Sequence, residues 1–166
     1  KEKKEIQKKD HKNVKKEKTK KIKNRKKIKK KQEITKKKNK EKINLNKKEI
    51  EKLAIKYLKK CEGLLGESKY YEHTPYLSVE YSPESEGIDD KWRGEFVSED
   101  NTIVIYYRNI TSKSDLAKTI VHEYVHYLQS PAWMTRYYNM GYEYNTHPYE
   151  IQAFTIEELN WKQICK

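Results

Sequence analysis

The chain has 166 residues and a formal net charge of +13, with 38% charged and 34% hydrophobic residues. No run approaches the roughly 18 apolar residues of a membrane span, and the lysine-rich start lacks the apolar core of a signal peptide, so neither a spanning nor a secreted protein is expected. Two cysteines, Cys61 and Cys165, lie far apart and outside any paired motif; neither a disulfide framework nor a cysteine zinc site follows from them, and they fit a reducing cytosol. Because the chain begins with Lys and not Met, it reads as a processed product or a piece of a longer protein, in which the first residues would be a linker.

The charge belongs to one end. Residues 1–47 hold 24 Lys and Arg against 6 Asp and Glu, a net of +18, and the remainder carries −5. The apolar residues there, such as Ile6, Val14 and Ile22, trace no helical or strand face, so residues 1–45 are expected to be a disordered or transiently helical arm. Its functional reading is an electrostatic contact with nucleic acid or another polyanion through phosphates, since no aromatic residue interrupts it for base stacking. The plainer reading is a solvated lysine-rich linker.

Residues 46–166 are expected to form one domain with a single core. Asn46 followed by Glu49 forms a capping box, with Leu45 and Ile50 as a staple. Ile50, Leu53, Ala54, Tyr57, Leu58, Cys61 and Leu64 or Leu65 then make one apolar helix stripe, closed by Gly63 or Gly66. From Lys69 to Tyr107 the period becomes two. Leu77, Val79 and Tyr81 alternate with polar residues, a strand is expected within Trp92 to Val97, and Ser98 to Asn101 turns into a strand from Thr102 to Tyr107. Pro83 to Asp90 reads as an acidic loop. These strands are expected to form a short antiparallel meander.

Ser112, with Asp115 three residues on, starts a helix of about residues 113–129, ended by Ser130-Pro131. It contains His122-Glu123-Tyr124-Val125-His126, an HExxH pattern. At i and i+4 both imidazoles leave one helix face and can bind one Zn²⁺ at about 2.0–2.1 Å, while Glu123 stands at their flank to polarise a water. The plain alternative is a helix with two ordinary, partly buried histidines. A third protein ligand is required; Glu143, His147 and Glu150 are the candidates downstream. Pro148 marks a helix start capped by Thr146 or His147, so Glu150 in the first turn can face back to the histidines, and Ala153 is small enough to let the helices approach. Glu150 is the first choice and His147 the alternative. Against these stands the reading of Glu150 as an acid that merely complements the helix dipole.

The segments 121–129 (VHEYVHYLQ) and 149–154 (YEIQAF) resemble the minimal zincin metallopeptidases of the gluzincin type, similar in scale to the ImmA/IrrE kind. The resemblance covers about residues 116–158. It implies a small α+β zincin-like domain in which an N-terminal helix, a short antiparallel sheet, the HExxH helix and a ligand-bearing C-terminal helix follow a disordered basic tail. It also implies zinc held by His122, His126 and Glu150, with Glu123 as general base in hydrolysis of a protein or peptide substrate. Relatives often carry an acid four residues after the glutamate ligand to support a histidine; Phe154 stands there, which keeps His147 in play, as in SprT-like peptidases with a third histidine. In such a fold the strand before the active helix borders the cleft, so Thr102 to Tyr107 is expected either to accept an extended peptide or to be an interior strand. Tyr137, Tyr138, Tyr142, Tyr144 and Arg136 are candidates for stabilising an oxyanion, each also suited to plain packing. The reading from another class is a non-catalytic polyanion-binding or structural protein with a retained or degenerate zinc site.

Overall fold

The computed structural model describes residues 46–82 and 91–166. The expected arm, the Leu45 staple and the acidic loop at 83–90 lie outside the described residues.

Helix α1 (Lys47–Leu65) begins as its sequence dictates: Asn46 Oδ1 accepts from the Glu49 main-chain N–H, and Glu49 answers on the Asn46 N–H, each at 3.0 Å. Ile50, Ala54, Tyr57, Leu58 and Cys61 are buried along one stripe. Gly66, at φ 80°, ends the helix, since a left-handed residue there has no side-chain clash.

Three short strands follow, β1 (Tyr76–Glu80), β2 (Gly94–Val97) and β3 (Thr102–Tyr106). The sheet is mixed, not the expected antiparallel meander. β2 and β3 form an antiparallel hairpin, but β1 crosses to the far edge of β3 and pairs with it in parallel, giving the order β1-β3-β2. Alternation reveals a strand but neither its neighbour nor its direction, and the long connection before β2 frees β1 to choose. The strand with apolar residues on both faces takes the centre: Ile103, Val104, Ile105 and Tyr106 are all buried. β3 therefore has no free edge for a peptide, which corrects the first expectation for Thr102 to Tyr107 and favours the interior one. It also stops one residue early, where Tyr107–Asn109 forms a 3-10 turn.

Helix α2 (Lys113–Leu128) matches its expected span; Ser112 accepts from the Asp115 N–H at 3.0 Å, and Asp115 reaches back to Thr111. Leu116, Ile120, Val121, Tyr124 and Tyr127 join the α1 stripe, Ile103 and Ile105 in one core. Tyrosine hydroxyls on α2 find partners in the segment after α1: Tyr124 donates to the Gly66 carbonyl at 2.8 Å, and Tyr127 accepts from the Ser68 N–H at 3.1 Å. Pro131 does more than end α2. It occupies the first turn of an unanticipated helix, α3 (Pro131–Asn139), where its missing N–H is harmless. Helix α4 (Pro148–Cys165) starts at the expected proline, capped by His147. Ala153, fully buried, lets α4 lie close against α2.

Gly94 plays the same part for the sheet. A Cβ there would stand 2.7 Å from the Val104 carbonyl oxygen and 2.8 Å from Thr119 Cγ2, so the bare backbone lets β2 press against α2 one turn before His122. The result is an α+β fold with four α-helices and a three-stranded mixed sheet among the described residues. No described helix is long and apolar enough to cross a membrane.

Candidate metal centre

His122, His126 and Glu150 come together, all buried, with one potential ligand atom from each lying within 4.8 Å of the others. The group could hold a metal ion. His122 and His126 stack one turn apart on α2 with ring centroids 4.9 Å apart. From the first turn of α4, Glu150 Oε2 lies 3.3 Å from His122 Nε2, and Oε1 lies 3.4 Å from His126 Nε2. Both imidazoles thus present the same nitrogen to one carboxylate.

Two neighbours that sequence reasoning missed set the orientation of the rings. Glu157, two turns beyond Glu150, places Oε2 3.3 Å from His122 Nδ1. Gln129, the first residue after α2, places Oε1 2.8 Å from His126 Nδ1. The Gln129 amide has no freedom to turn round: its nitrogen donates to the Tyr149 carbonyl at 3.0 Å, which can only accept. Its oxygen must then face His126 and accept the Nδ1–H, leaving the Nε2 lone pair for an ion. Phe154 packs on His122 at 4.6 Å between centroids. Glu157 could have been found from its seven-residue spacing to Glu150, which returns it to the same helix face; Gln129 carries no such signal, because its role depends on where α4 lies.

His147 is not part of the group. Its Nδ1 accepts from the Tyr149 N–H at 3.2 Å as the α4 cap, and its ring is fully buried among Tyr137, Tyr138 and Tyr149. The lone pair a metal would need is already engaged.

The site forms one wall of an open cleft of about 900 Å³. Glu123 lines it beside His122, with only 7% of its surface exposed. Burial first, and then Glu150 and Glu95, raise its carboxyl above the ordinary range, against the pull of the two histidines. Burial alone would raise Glu150 and lower His122, yet their mutual contact dominates. Glu150 is held well below the usual carboxylate range, and Glu150 with Glu157 brings His122 up to about 10 in the metal-free chain.

Of the five oxyanion candidates, Tyr138 and Tyr144 line the cleft. The Tyr144 hydroxyl is raised above the ordinary phenol range by burial and by its hydrogen bond with Glu150. The other three are engaged elsewhere: Tyr137 packs on Trp133 and Tyr149, Tyr142 on Tyr137, and the Arg136 guanidinium sits 4.7 Å over Trp133. The cleft is also lined by Arg93, just before β2, and by Gly94, Glu95 and Phe96 of β2. Compared with known proteins, the chain matches no family model, no curated protein and no solved structure.

Proposed function

We propose that residues 46–166 form a zinc metallopeptidase, with His122, His126 and Glu150 holding the ion and Glu123 acting as general base. The observation that carries this reading is the buried two-histidine, one-carboxylate group on the wall of an open cleft. The donor set fits zinc. Two imidazoles and one carboxylate suit this borderline ion, and one potential ligand atom from each lies within 4.8 Å of the others; Glu150 turns a separate oxygen to each imidazole, at 3.3 and 3.4 Å. Three protein ligands also leave one position open, as hydrolytic zinc sites require.

When bound, the ion would supply Lewis acidity, making a water acidic enough to lose its proton near neutral pH. Glu123 accepts that proton and returns it to the leaving amine; its raised pKa suits a group that must hold the proton between the two steps. Tyr144 and Tyr138 offer hydroxyl donors to the charge that develops on the substrate carbonyl. The outer edge of β2, unpaired among the described residues and bordering the cleft, suits an extended peptide laid beside the histidines.

The test is Glu123→Gln, which keeps the shape and removes the base. It should retain about one equivalent of zinc and hydrolyse a quenched-fluorescence peptide library about 10²–10⁴-fold more slowly than the parent chain. Equal rates in the two proteins would refute the assignment of Glu123. Zinc bound without any hydrolysis by the parent chain would support the non-catalytic alternative.

A further inference from the structure

We infer that Glu157 is a positioning residue for the metal centre: it accepts a hydrogen bond from the Nδ1–H of His122 and so aims Nε2 at the ion, and it does this through its own contact with the ring and not merely by tying two helices together. The inference rests on the metal-binding part of the reading above. Glu150 and Glu157 are two turns apart on α4, about 10.5 Å along the axis and within about 20° of one face. The His122 ring lies between them, with Nε2 3.3 Å from Glu150 and Nδ1 3.3 Å from Glu157. Phe154, between the two acids on that face, closes on the ring at 4.6 Å but has no atom to accept a hydrogen bond; among the described residues Glu157 does so.

The second carboxylate oxygen explains why Glu157 keeps this pose. Glu157 Oε1 lies 3.5 Å from Lys118 Nζ, one turn before His122 on α2, and Lys118 also bonds Glu158 and lies 5.3 Å over the Trp161 ring. One oxygen is thus held by a cation and the other by an imidazole. The two histidines become unequal: His122 is backed by a carboxylate and His126 by the neutral amide of Gln129. A carboxylate makes its imidazole the stronger donor, so more of the zinc affinity should depend on Glu157 than on Gln129.

The experiment measures zinc affinity by competition with a chelating dye in the parent chain and three variants, together with the ring N–H signals of the zinc-loaded proteins in ¹⁵N-edited spectra. Glu157→Ala should weaken zinc about 10–100-fold. Glu157→Gln, whose side-chain oxygen can still accept the hydrogen bond, should recover part of that loss. Lys118→Met removes the same bridge between α2 and α4 but leaves His122 its partner, and should weaken zinc by less than about fivefold. The His122 Nδ1–H should give a slowly exchanging resonance in the parent chain and in Glu157→Gln, and lose it in Glu157→Ala. Lys118→Met matching the loss in Glu157→Ala would reduce Glu157 to a helix tie and overturn the inference, as would parent-like affinity in Glu157→Ala. A parent chain that binds no zinc would defeat the proposed function itself and this inference with it, whereas zinc binding without hydrolysis would leave this inference standing.

Discussion

The two helices that build the candidate centre differ in how they are held. In α2, eleven of 16 residues are buried, including all three functional side chains of the HExxH pattern. In α4, three of 18 are buried, and one of those is the candidate ligand Glu150. The histidines are therefore fixed by the core, while the carboxylate arrives on a peripheral helix secured by Ala153, Ile164 and polar contacts around His122. An ion bridging the two would do more for α4 than for α2, because a ligand stabilises most what is least stable without it.

Removing the metal should break the comparison most visibly. A site held at a thousandfold excess over its dissociation constant contributes about 4 kcal/mol to the state that binds it. Chelation should accordingly speed amide exchange in the first two turns of α4 far more than in α2. Equal acceleration in both helices would mean that the centre is part of the core, not a bridge to its edge.

Ala153→Leu comes next. Ala153 has no exposed surface at the α2–α4 contact, so three more carbon atoms must push the helices apart, at about 1–3 kcal/mol. Glu150 lies one turn away and should move with the backbone. The variant should melt lower and bind zinc more weakly, with the secondary structure of α2 intact by circular dichroism; unchanged affinity would show that Glu150 reaches the histidines independently of that contact.

The effect of pH is the smallest per unit of change. In the metal-free chain burial works to lower His122, but the Glu150 and Glu157 carboxylates prevail and raise it to about 10, so near neutrality it carries a proton that an incoming ion must displace. Zinc affinity should fall about tenfold per unit as pH drops below that value, or roughly 1.4 kcal/mol. The raised pKa has the opposite consequence for the metal-free fold. Its contribution to stability is fully present below the ordinary histidine value of 6.5 and is lost as pH rises through about 10. Calorimetric titration with zinc in buffers of different ionisation enthalpy counts the displaced protons; none released at neutral pH would contradict the raised pKa.

Much of the centre was legible because it depends on local rules. Ser112, Pro131, His147 and Pro148 mark helix ends through capping and ring geometry, and the four-residue spacing of His122 and His126 fixes a common face. Glu150 followed once α4 was known to begin at Pro148. The same proline logic applied at Pro131 would have found α3, where the residue was read only as an end. What was not legible depends on tertiary placement: the strand order, because alternation in β1 and β3 names no neighbour, and the roles of Gln129 and Glu157, because each takes its meaning from how α4 crosses α2.

Gly94 has a consequence for how such a sequence can vary. Gly66 and Gly141 are required by left-handed backbone, at φ 80° and 85°, and a Cβ on Gly63 would meet nothing within 4 Å. Gly94 is required by space alone, and one of its two close neighbours is main chain, the Val104 carbonyl oxygen at 2.7 Å. Trimming Thr119 would remove the other clash but not that one. No single compensating substitution can therefore admit a side chain at position 94, and a chain that changes this glycine has to shift β2 against its neighbour β3 as well as away from the helix that carries the histidines.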